Sequence, residues 1–357
     1  MLLNNMRNMR LPALSLAFAL LLALSGCTDA DGNSTTDKVY ERDGLLQGEL
    51  ADIIPEILDD GSGAEKDFAV PLDPSLLPAP APGCSPSEYG LSTEIYVNGE
   101  AAEEFNARDA ICFTRPGDYS GLPGITTFRG NNYRNISAYG TARVTEEKLE
   151  KVWFSKTGYI DTWSITGANG EPSLVKWTGV GWNGQAAVVM WDSETRGMMN
   201  IAPGKKIKEG LKEVICAALD GKIYFLDLDD GQPTRTPIDL GFSIKGSVTV
   251  DPRGYPLLYV GQGLEENDHK KGPIGYRVYS LIDQKELFFI DGYDLFALRR
   301  WGAFDSVGLV DGSSDTLIVC GENGVLYNIR LNTDFDRSMG RIAVSPEVAK
   351  YRYTTSG

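Results

Sequence analysis

The chain has 357 residues, of which 23% are charged and 10% are aromatic, an ordinary composition for a folded protein. Its formal net charge of −15 excludes nucleic-acid binding through a basic surface and electrostatic docking on an anionic membrane. Glycine occurs 40 times, in turn-like contexts that predict many short strands joined by tight turns.

The first 26 residues have the features of an export signal. Arg7 and Arg10 supply a positive start, and the apolar stretch that follows has signal-peptide length, short for a membrane span. The stretch ends in Leu-Ser-Gly-Cys at 24–27, which resembles the lipobox of bacterial lipoproteins. We therefore expect residues 1–26 to be removed and Cys27 to carry a diacylglyceryl anchor on the extracytoplasmic face of a bacterial cell envelope. An ordinary secretory signal followed by a chance cysteine is the alternative.

Residues 27–90 are predicted to be an acidic, proline-rich tether, which should be extended and semi-rigid near its end. Residues 91–125 are predicted to form a small α+β module with a strand at 93–97, a turn at Asn98-Gly99 and a helix at 100–109.

The five cysteines include the expected lipid site, which leaves four. Cys84 and Cys112 flank the small module, and export to a disulfide-permissive compartment makes them the preferred disulfide pair. Cys216 and Cys320 fall inside predicted strands, where we expect buried free thiols.

A hairpin pattern recurs in the second half of the chain. Residues 214–228 predict a strand, an Asp220-Gly221 turn and a second strand, and residues 317–331 repeat this around Asn323-Gly324. The recurrence predicts a β-propeller over 126–357, with units at 172–240, 246–289 and 306–331 and an earlier strand at 149–156. These amount to about three blades, whereas a closed propeller needs at least about four. We therefore expect an incomplete propeller, the chain being a C-terminally truncated fragment. The alternative is that the remaining blades lie on another polypeptide.

Two phrases resemble a known repeat family. Residues 223–231 have the aromatic residue, the Leu-Asp pair and the closing glycine of the quinoprotein-like repeat, and Phe-Arg-Gly-Asn at 128–131 resembles the phrase before many such repeats. The region 126–331 thus resembles bacterial PQQ-binding-like β-propeller repeat proteins. The resemblance implies an all-β fold, a partial propeller of four-stranded blades.

Departures from the family bear on the cofactor. The typical repeat has a tryptophan four residues after its closing glycine, where this chain has Arg235. The chain also has no Cys-Cys dipeptide and no recognisable Ca²⁺ cage, both features of quinone-dependent dehydrogenases. We therefore expect neither pyrroloquinoline quinone nor Ca²⁺ as a cofactor.

Other motifs favour structure over chemistry. Gly179, Gly181 and Gly184 match the dinucleotide motif literally, but a predicted strand follows where that motif needs a helix. The acids at 227–230 lack the glutamate that would complete an EF-type Ca²⁺ loop. His269, the single histidine, lies in a charged loop far from any nucleophile or metal-binding pattern. No catalytic, cofactor-binding or metal-binding residue is assigned.

Tryptophans supply the remaining candidate ligand surface. Trp177, Trp182 and Trp191 are close in sequence and could stack on sugar rings, although packing between blades explains most tryptophans in such folds. The first hypothesis is a membrane-anchored, non-catalytic binding or scaffolding module with a protein or cell-wall glycan partner. The alternatives are a glycan-binding or glycan-active protein and a quinoprotein dehydrogenase.

Overall fold

The chain folds into antiparallel β-sheets. A computed structural model describes residues 83, 85–106, 109, 111, 116–135, 145–146, 148–165, 172–181 and 184–355. Within these residues there are two short α-helices, α1 (Ser193–Met198) and α2 (Pro203–Lys206), and two 3-10 helices, Pro86–Tyr89 and Pro116–Asp118. No helix in this part of the chain has the length and apolar composition that crossing a membrane requires.

The strands of the described residues follow in chain order: β1 (Leu91–Val97), β2 (Glu100–Ala102), β3 (Gly124–Ile125), β4 (Tyr159–Ile165), β5 (Pro172–Thr178), β6 (Ala187–Val189), β7 (Glu213–Ala217), β8 (Lys222–Asp227), β9 (Ile238–Asp239), β10 (Thr249–Val250), β11 (Leu257–Gly261), β12 (Glu266–Asn267), β13 (Lys270–Lys271), β14 (Gly275–Ser280), β15 (Glu286–Asp291), β16 (Leu309–Asp311), β17 (Thr316–Cys320), β18 (Leu326–Arg330), β19 (Asp334–Asp336), β20 (Arg341–Ala343) and β21 (Glu347–Thr355).

Each of the three larger sheets contains an antiparallel meander of four strands. Sheet A has the order β3-β6-β7-β8-β9, sheet B the order β10-β11-β14-β15, and sheet C the order β16-β17-β18-β21-β1-β2. The hairpins β12-β13 and β19-β20 interrupt sheets B and C, and β4 pairs with β5 in a sheet of their own. The expectation of an all-β fold is thus confirmed for the described residues, whose sheets are antiparallel.

The predicted hairpins form at the predicted turns. Gly221 and Gly324 have φ values of +81° and +83°, which glycine adopts without a Cβ penalty. Each joins two antiparallel strands, β7 to β8 and β17 to β18. The Asn-Gly and Asp-Gly signals therefore predicted the local structure correctly.

Two predicted elements are wrong. The helix expected at 100–109 is replaced at its start by β2, because Asn98 and Gly99 both have positive φ and turn the chain back onto β1. The strand expected at 149–156 is irregular, and the strand of this region is β4. The first repeat was expected to begin at residue 172, but β5 pairs with β4 and sheet A begins its meander at β6.

Sheet B is buried on both faces. All residues of β11 and β14 are buried. Because strand side chains alternate between faces, Leu258 and Val260 join a core with sheet A, whereas Leu257 and Tyr259 join a second core with sheet C. The three sheets are therefore stacked face to face in chain order.

The strand β1 joins the last sheet at its outer side. It pairs with β21 from Leu91 opposite Thr355 to Val97 opposite Ala349. The hairpin β1-β2 thus covers the edge strand of the sheet C meander, which would otherwise expose unpaired backbone groups. Near the other end of the 91–125 stretch, β3 pairs with β6 in sheet A.

Candidate functional site

The tryptophans of the predicted ligand surface have different environments. Trp191 is only 2% exposed, and its Nε1 donates to Glu213 Oε2 at 3.0 Å. Trp177 is half-buried on β5, donates to Thr162 Oγ1 at 3.1 Å and has Lys245 Nζ 5.5 Å from its ring centroid. Trp182 lies outside the described residues. Trp191 is therefore a core residue, because its indole group has a buried hydrogen-bond acceptor, and of the two tryptophans described Trp177 is the more accessible.

The arginine that replaces the docking tryptophan of the repeat belongs to a buried network. Arg235 Nη2 lies 2.6 Å from Glu213 Oε2, with the two side chains 1% and 0% exposed. Arg235 also donates to the Leu281 carbonyl of the neighbouring sheet B at 2.8 Å and lies over the Phe225 ring. The departure from the repeat pattern thus replaces apolar docking between sheets with a buried ion pair.

A tryptophan outside the strands covers the closing glycine of the same repeat. Trp153 Nε1 donates to the Leu228 carbonyl at 2.7 Å. A Cβ on Gly231 would lie 2.5 Å from Trp153 Cε3, so a glycine is required beneath the indole. Trp153 therefore packs on sheet A although its segment forms no strand.

The two cysteines of the described strands are free. Cys216 on β7 is half-buried, and burial raises the pKa of its thiol to about 11. Cys320 is exposed at the end of β17, so the expectation that it is buried is wrong. The proposed pair Cys84 and Cys112, like Cys27, lies outside the described residues.

A cleft of about 450 Å³ opens where the three sheets meet. We call it the arginine cleft, because it is lined by three arginines among the residues Gly121, Leu122, Pro123, Met190, Trp191, Asp192, Ser193, Arg196, Gly210, Arg253, Gly254 and Arg337. Its walls come from the loop before β3, the segment from β6 into α1, the β10-β11 turn and the β19-β20 hairpin. Sheets A, B and C each contribute to it.

Local hydrogen bonds fix the walls of the arginine cleft. Asp192 caps α1 by accepting from the Thr195 backbone at 2.8 Å and from its hydroxyl at 2.7 Å. Burial raises the pKa of Asp192, but these hydrogen bonds and the charge of Arg337 lower it on balance. In the β10-β11 turn, Gly254 has a φ of +78° and donates to the Asp251 carbonyl at 3.0 Å.

Two of the three arginines have acidic or hydroxyl partners. Arg253 contacts Asp251 at 2.7 Å and Asp315 at 2.6 Å. Burial lowers the pKa of Arg253, but the Asp251 carboxylate raises it on balance, so the guanidinium stays charged. Arg337 donates to Thr195 Oγ1 at 2.9 Å and lies 3.8 Å from the carboxylates of Asp192 and Glu194.

The third arginine is different. Arg196 is 9% exposed, and its Nε has no hydrogen-bond partner. Within the described part of the chain, no carboxylate lies within ion-pairing distance of its guanidinium group. A buried N–H group without an acceptor is costly for folding, so this side chain calls for a functional explanation.

A second surface feature is the loop between sheets B and C. Its residues 293–301, which we call the display loop, have the sequence Tyr-Asp-Leu-Phe-Ala-Leu-Arg-Arg-Trp. Leu295, Leu298 and Trp301 are 88%, 64% and 48% exposed. The buried Phe296 fixes the loop by packing on Tyr96 with ring centroids 4.4 Å apart and lying beneath the Arg352 guanidinium. The display loop therefore presents apolar side chains from a fixed base.

The described residues offer no arrangement for metal binding or for catalysis by histidine. Among the described residues, no three His, Cys, Asp or Glu side chains are grouped so that they could hold a metal ion. His269 is exposed in the β12-β13 turn at a φ of +62°, as expected for a loop histidine. That the chain binds neither quinone nor Ca²⁺ stays a prediction.

Sequence reasoning missed both the arginine cleft and the display loop. The cleft joins segments that are more than 200 residues apart, from Gly121 to Arg337. A local sequence pattern therefore could not predict it. The display loop had a usable signal, because an apolar run without glycine or proline connects two strands where a polar turn is expected.

Comparisons with known proteins found a weak structural similarity for this chain and no matching family. No protein-family model and no curated protein matches it. Among solved structures, the chain is similar to the crystal structure of BamB from Moraxella catarrhalis, with 15% identity, a TM-score of 0.23, and coverage of 37% of this chain and 33% of that chain. The match spans about a third of the length of that structure, and a similarity of this size decides neither fold nor function.

Proposed function

We propose that the protein is a lipid-anchored, extracytoplasmic binding module built on β-propeller-like sheets. The three stacked antiparallel sheets support a propeller, because consecutive blades stack in this way around an axis. No catalytic activity is part of the proposal. The partner is a protein, and it contacts the display loop.

The exposed apolar side chains of the display loop carry the proposal. Leu295 and Leu298 are largely in solvent, and Arg299 and Arg300 between Leu298 and Trp301 are exposed as well. Leucine, arginine and tryptophan side chains that project from a fixed base form a compact group of potential interface anchors, and tryptophan and arginine are enriched at binding hot spots. The partner surface should therefore offer an apolar groove with an acidic rim.

A second candidate function rests on the pocket beside the same loop. Tyr293 and Trp301 line a pocket of about 210 Å³ together with Glu265 and Glu266. Aromatic faces beside carboxylates suit a sugar, with stacking on one side and hydroxyl groups donating on the other. This pocket replaces Trp191 in the hypothesis of a cell-wall glycan ligand.

We predict that Cys27→Ala releases the protein from membranes. The Leu-Ser-Gly-Cys sequence at 24–27 supports lipidation of this cysteine, and two acyl chains give stable attachment. Cells fed a labelled fatty acid should incorporate label into the wild-type chain, which should sediment with membranes. The variant should carry no label and should be soluble after lysis. Label on the variant, or none on the wild type, contradicts the anchor.

We also predict that a photo-crosslinking amino acid at Leu295 or Leu298 captures one defined protein in intact cells. The same amino acid at Ile207, an 83% exposed side chain far from the display loop in sequence, is the matched control. Leu295→Asp combined with a crosslinker at Leu298 should abolish capture, because a carboxylate cannot enter an apolar groove. Crosslinks only to lipid, or equal capture at Ile207, contradict a protein partner. Protection of Trp301 fluorescence by wall fragments, without a protein crosslink, favours the glycan alternative.

A further inference from the structure

We propose that the arginine cleft binds a monocarboxylate with an apolar body, and that Arg196 receives the carboxylate. This site is separate from the display loop and does not depend on the proposed function. It rests on a side chain that is nine-tenths buried and unpaired, in a cleft large enough for a small organic molecule.

The charges around the cleft favour one negative charge. Arg253 is neutralised by Asp251 and Asp315, and Arg337 is partly neutralised by Asp192 and Glu194. Arg196 is therefore the arginine of the cleft that has no carboxylate partner within the described residues. A phosphate dianion would bring two negative charges beside the Asp192 carboxylate, which lines the same cleft. A monoanion pairs with Arg196 and meets about half of that repulsion.

The planar shape of the Arg196 guanidinium group favours a carboxylate as its ligand. A guanidinium group has planar N–H donors in a fork that matches the two oxygens of a carboxylate. The hydrogen bonds would give the Arg196 guanidinium group the acceptor that it lacks within the described residues. Arg337 is the second donor available on the cleft wall.

The remaining walls favour an apolar body on the ligand. Leu122, Pro123, Met190 and Trp191 line the cleft beside the arginines. A carboxylate attached to an aliphatic or aromatic group would cover these side chains while its charged end meets Arg196. Two sources share this chemistry, a free carboxylic acid and the C-terminus of a peptide that ends in an apolar residue.

The test compares acids with their amides on the full chain in detergent. The probes are 3-phenylpropionate, its amide, and a tetrapeptide ending in phenylalanine with a free or amidated C-terminus. Both acids should raise the melting temperature of the wild type in a concentration-dependent manner, because a ligand of the folded state stabilises it. Neither amide should do so. Tighter binding of the free acid or of the peptide identifies the source.

The matched variants are Arg196→Met, Arg196→Lys and Arg341→Met. Arg196→Met keeps the aliphatic stem and should fold at least as stably as the wild type without ligand, because it removes an unpaired buried charge. Its affinity for the acids should fall by about tenfold or more. Arg196→Lys should bind with intermediate affinity. Arg341, whose side chain is 58% exposed and paired with Asp334, should tolerate methionine without change in binding.

Several results would overturn the proposal. Binding of the amides as tight as that of the acids excludes recognition through the carboxylate. Unchanged affinity in Arg196→Met excludes Arg196 as the receiving group. Inorganic phosphate that binds more tightly than either acid excludes a monocarboxylate site. Loss of folding in both Arg196→Met and Arg196→Lys would show that the guanidinium has a structural partner, which contradicts the premise.

Discussion

Glu213→Ala should lower the free energy of unfolding by about 3–5 kcal/mol, the cost of leaving a buried charge without its partner. Glu213 is fully buried and accepts hydrogen bonds from Arg235 Nε at 3.0 Å, from Trp191 Nε1 at 3.0 Å and from the Thr234 hydroxyl. Its removal leaves the Arg235 guanidinium charged and the Trp191 indole without an acceptor. Equilibrium denaturation in urea, followed by tryptophan fluorescence, measures the loss.

Two further variants separate the buried charge from the general loss of a side chain. The double variant Glu213→Leu with Arg235→Met leaves no unpaired charge, and should recover at least half of the loss. Asp334→Ala breaks the exposed ion pair with Arg341, in which both side chains are more than half in solvent. Its effect should stay within about 1 kcal/mol. A loss for Glu213→Ala as small as that for Asp334→Ala would mean that the buried pair does not hold sheet A to sheet B.

The Glu213–Arg235 pair also explains why this chain has an arginine where the typical repeat has its docking tryptophan. A tryptophan four residues after the closing glycine would dock by apolar contact alone. Arg235 docks by reaching the Leu281 carbonyl of sheet B, and it needs Glu213, 22 positions earlier in the chain, to neutralise it. Arg235 is therefore explained only together with Glu213, which lies on β7, whereas Arg235 lies in the loop between β8 and β9.

Local signals in the sequence predicted the hairpins because the residues of a tight turn themselves determine its backbone conformation. Asp220-Gly221, Asn323-Gly324 and Asn98-Gly99 each need a positive φ within two residues, and the strands beside them pair by proximity. The all-β fold class and the four-stranded units follow from such repeated local choices.

The failures concern pairings between distant segments. Residues 100–109 have helical composition, yet the turn at Asn98-Gly99 places Glu100 opposite Val97 as part of a sheet completed by β21. Trp191 was a candidate for a ligand surface because it lies close in sequence to Trp177 and Trp182. Its acceptor Glu213 buries it. The unpaired state of Arg196 depends on which acids lie near it after folding, and the amino-acid sequence alone does not give that information.

Gly261→Ala should be a strongly damaging methyl addition in the interface of sheets B and C, with a cost of about 3 kcal/mol. A Cβ at this position would lie 2.2 Å from the Phe304 carbonyl oxygen and 2.6 Å from Phe304 Cβ. Phe304 is fully buried, and its N–H donates to the Gln262 carbonyl at 2.8 Å. The backbone of Phe304 therefore cannot move away without breaking a hydrogen bond and opening the core.

Two other glycines provide the controls for this prediction. Gly197 in α1 has open space around its Cβ position and no positive φ, so Gly197→Ala should be neutral or stabilising by up to about 1 kcal/mol. Gly324→Ala also meets no neighbour, but its φ of +83° should cost about 1–2 kcal/mol through backbone strain alone. The expected order of stability in urea denaturation is therefore Gly197→Ala, Gly324→Ala, Gly261→Ala. If Gly261→Ala proves as stable as Gly197→Ala, sheets B and C do not approach each other as closely as Gly261 and Phe304 do here.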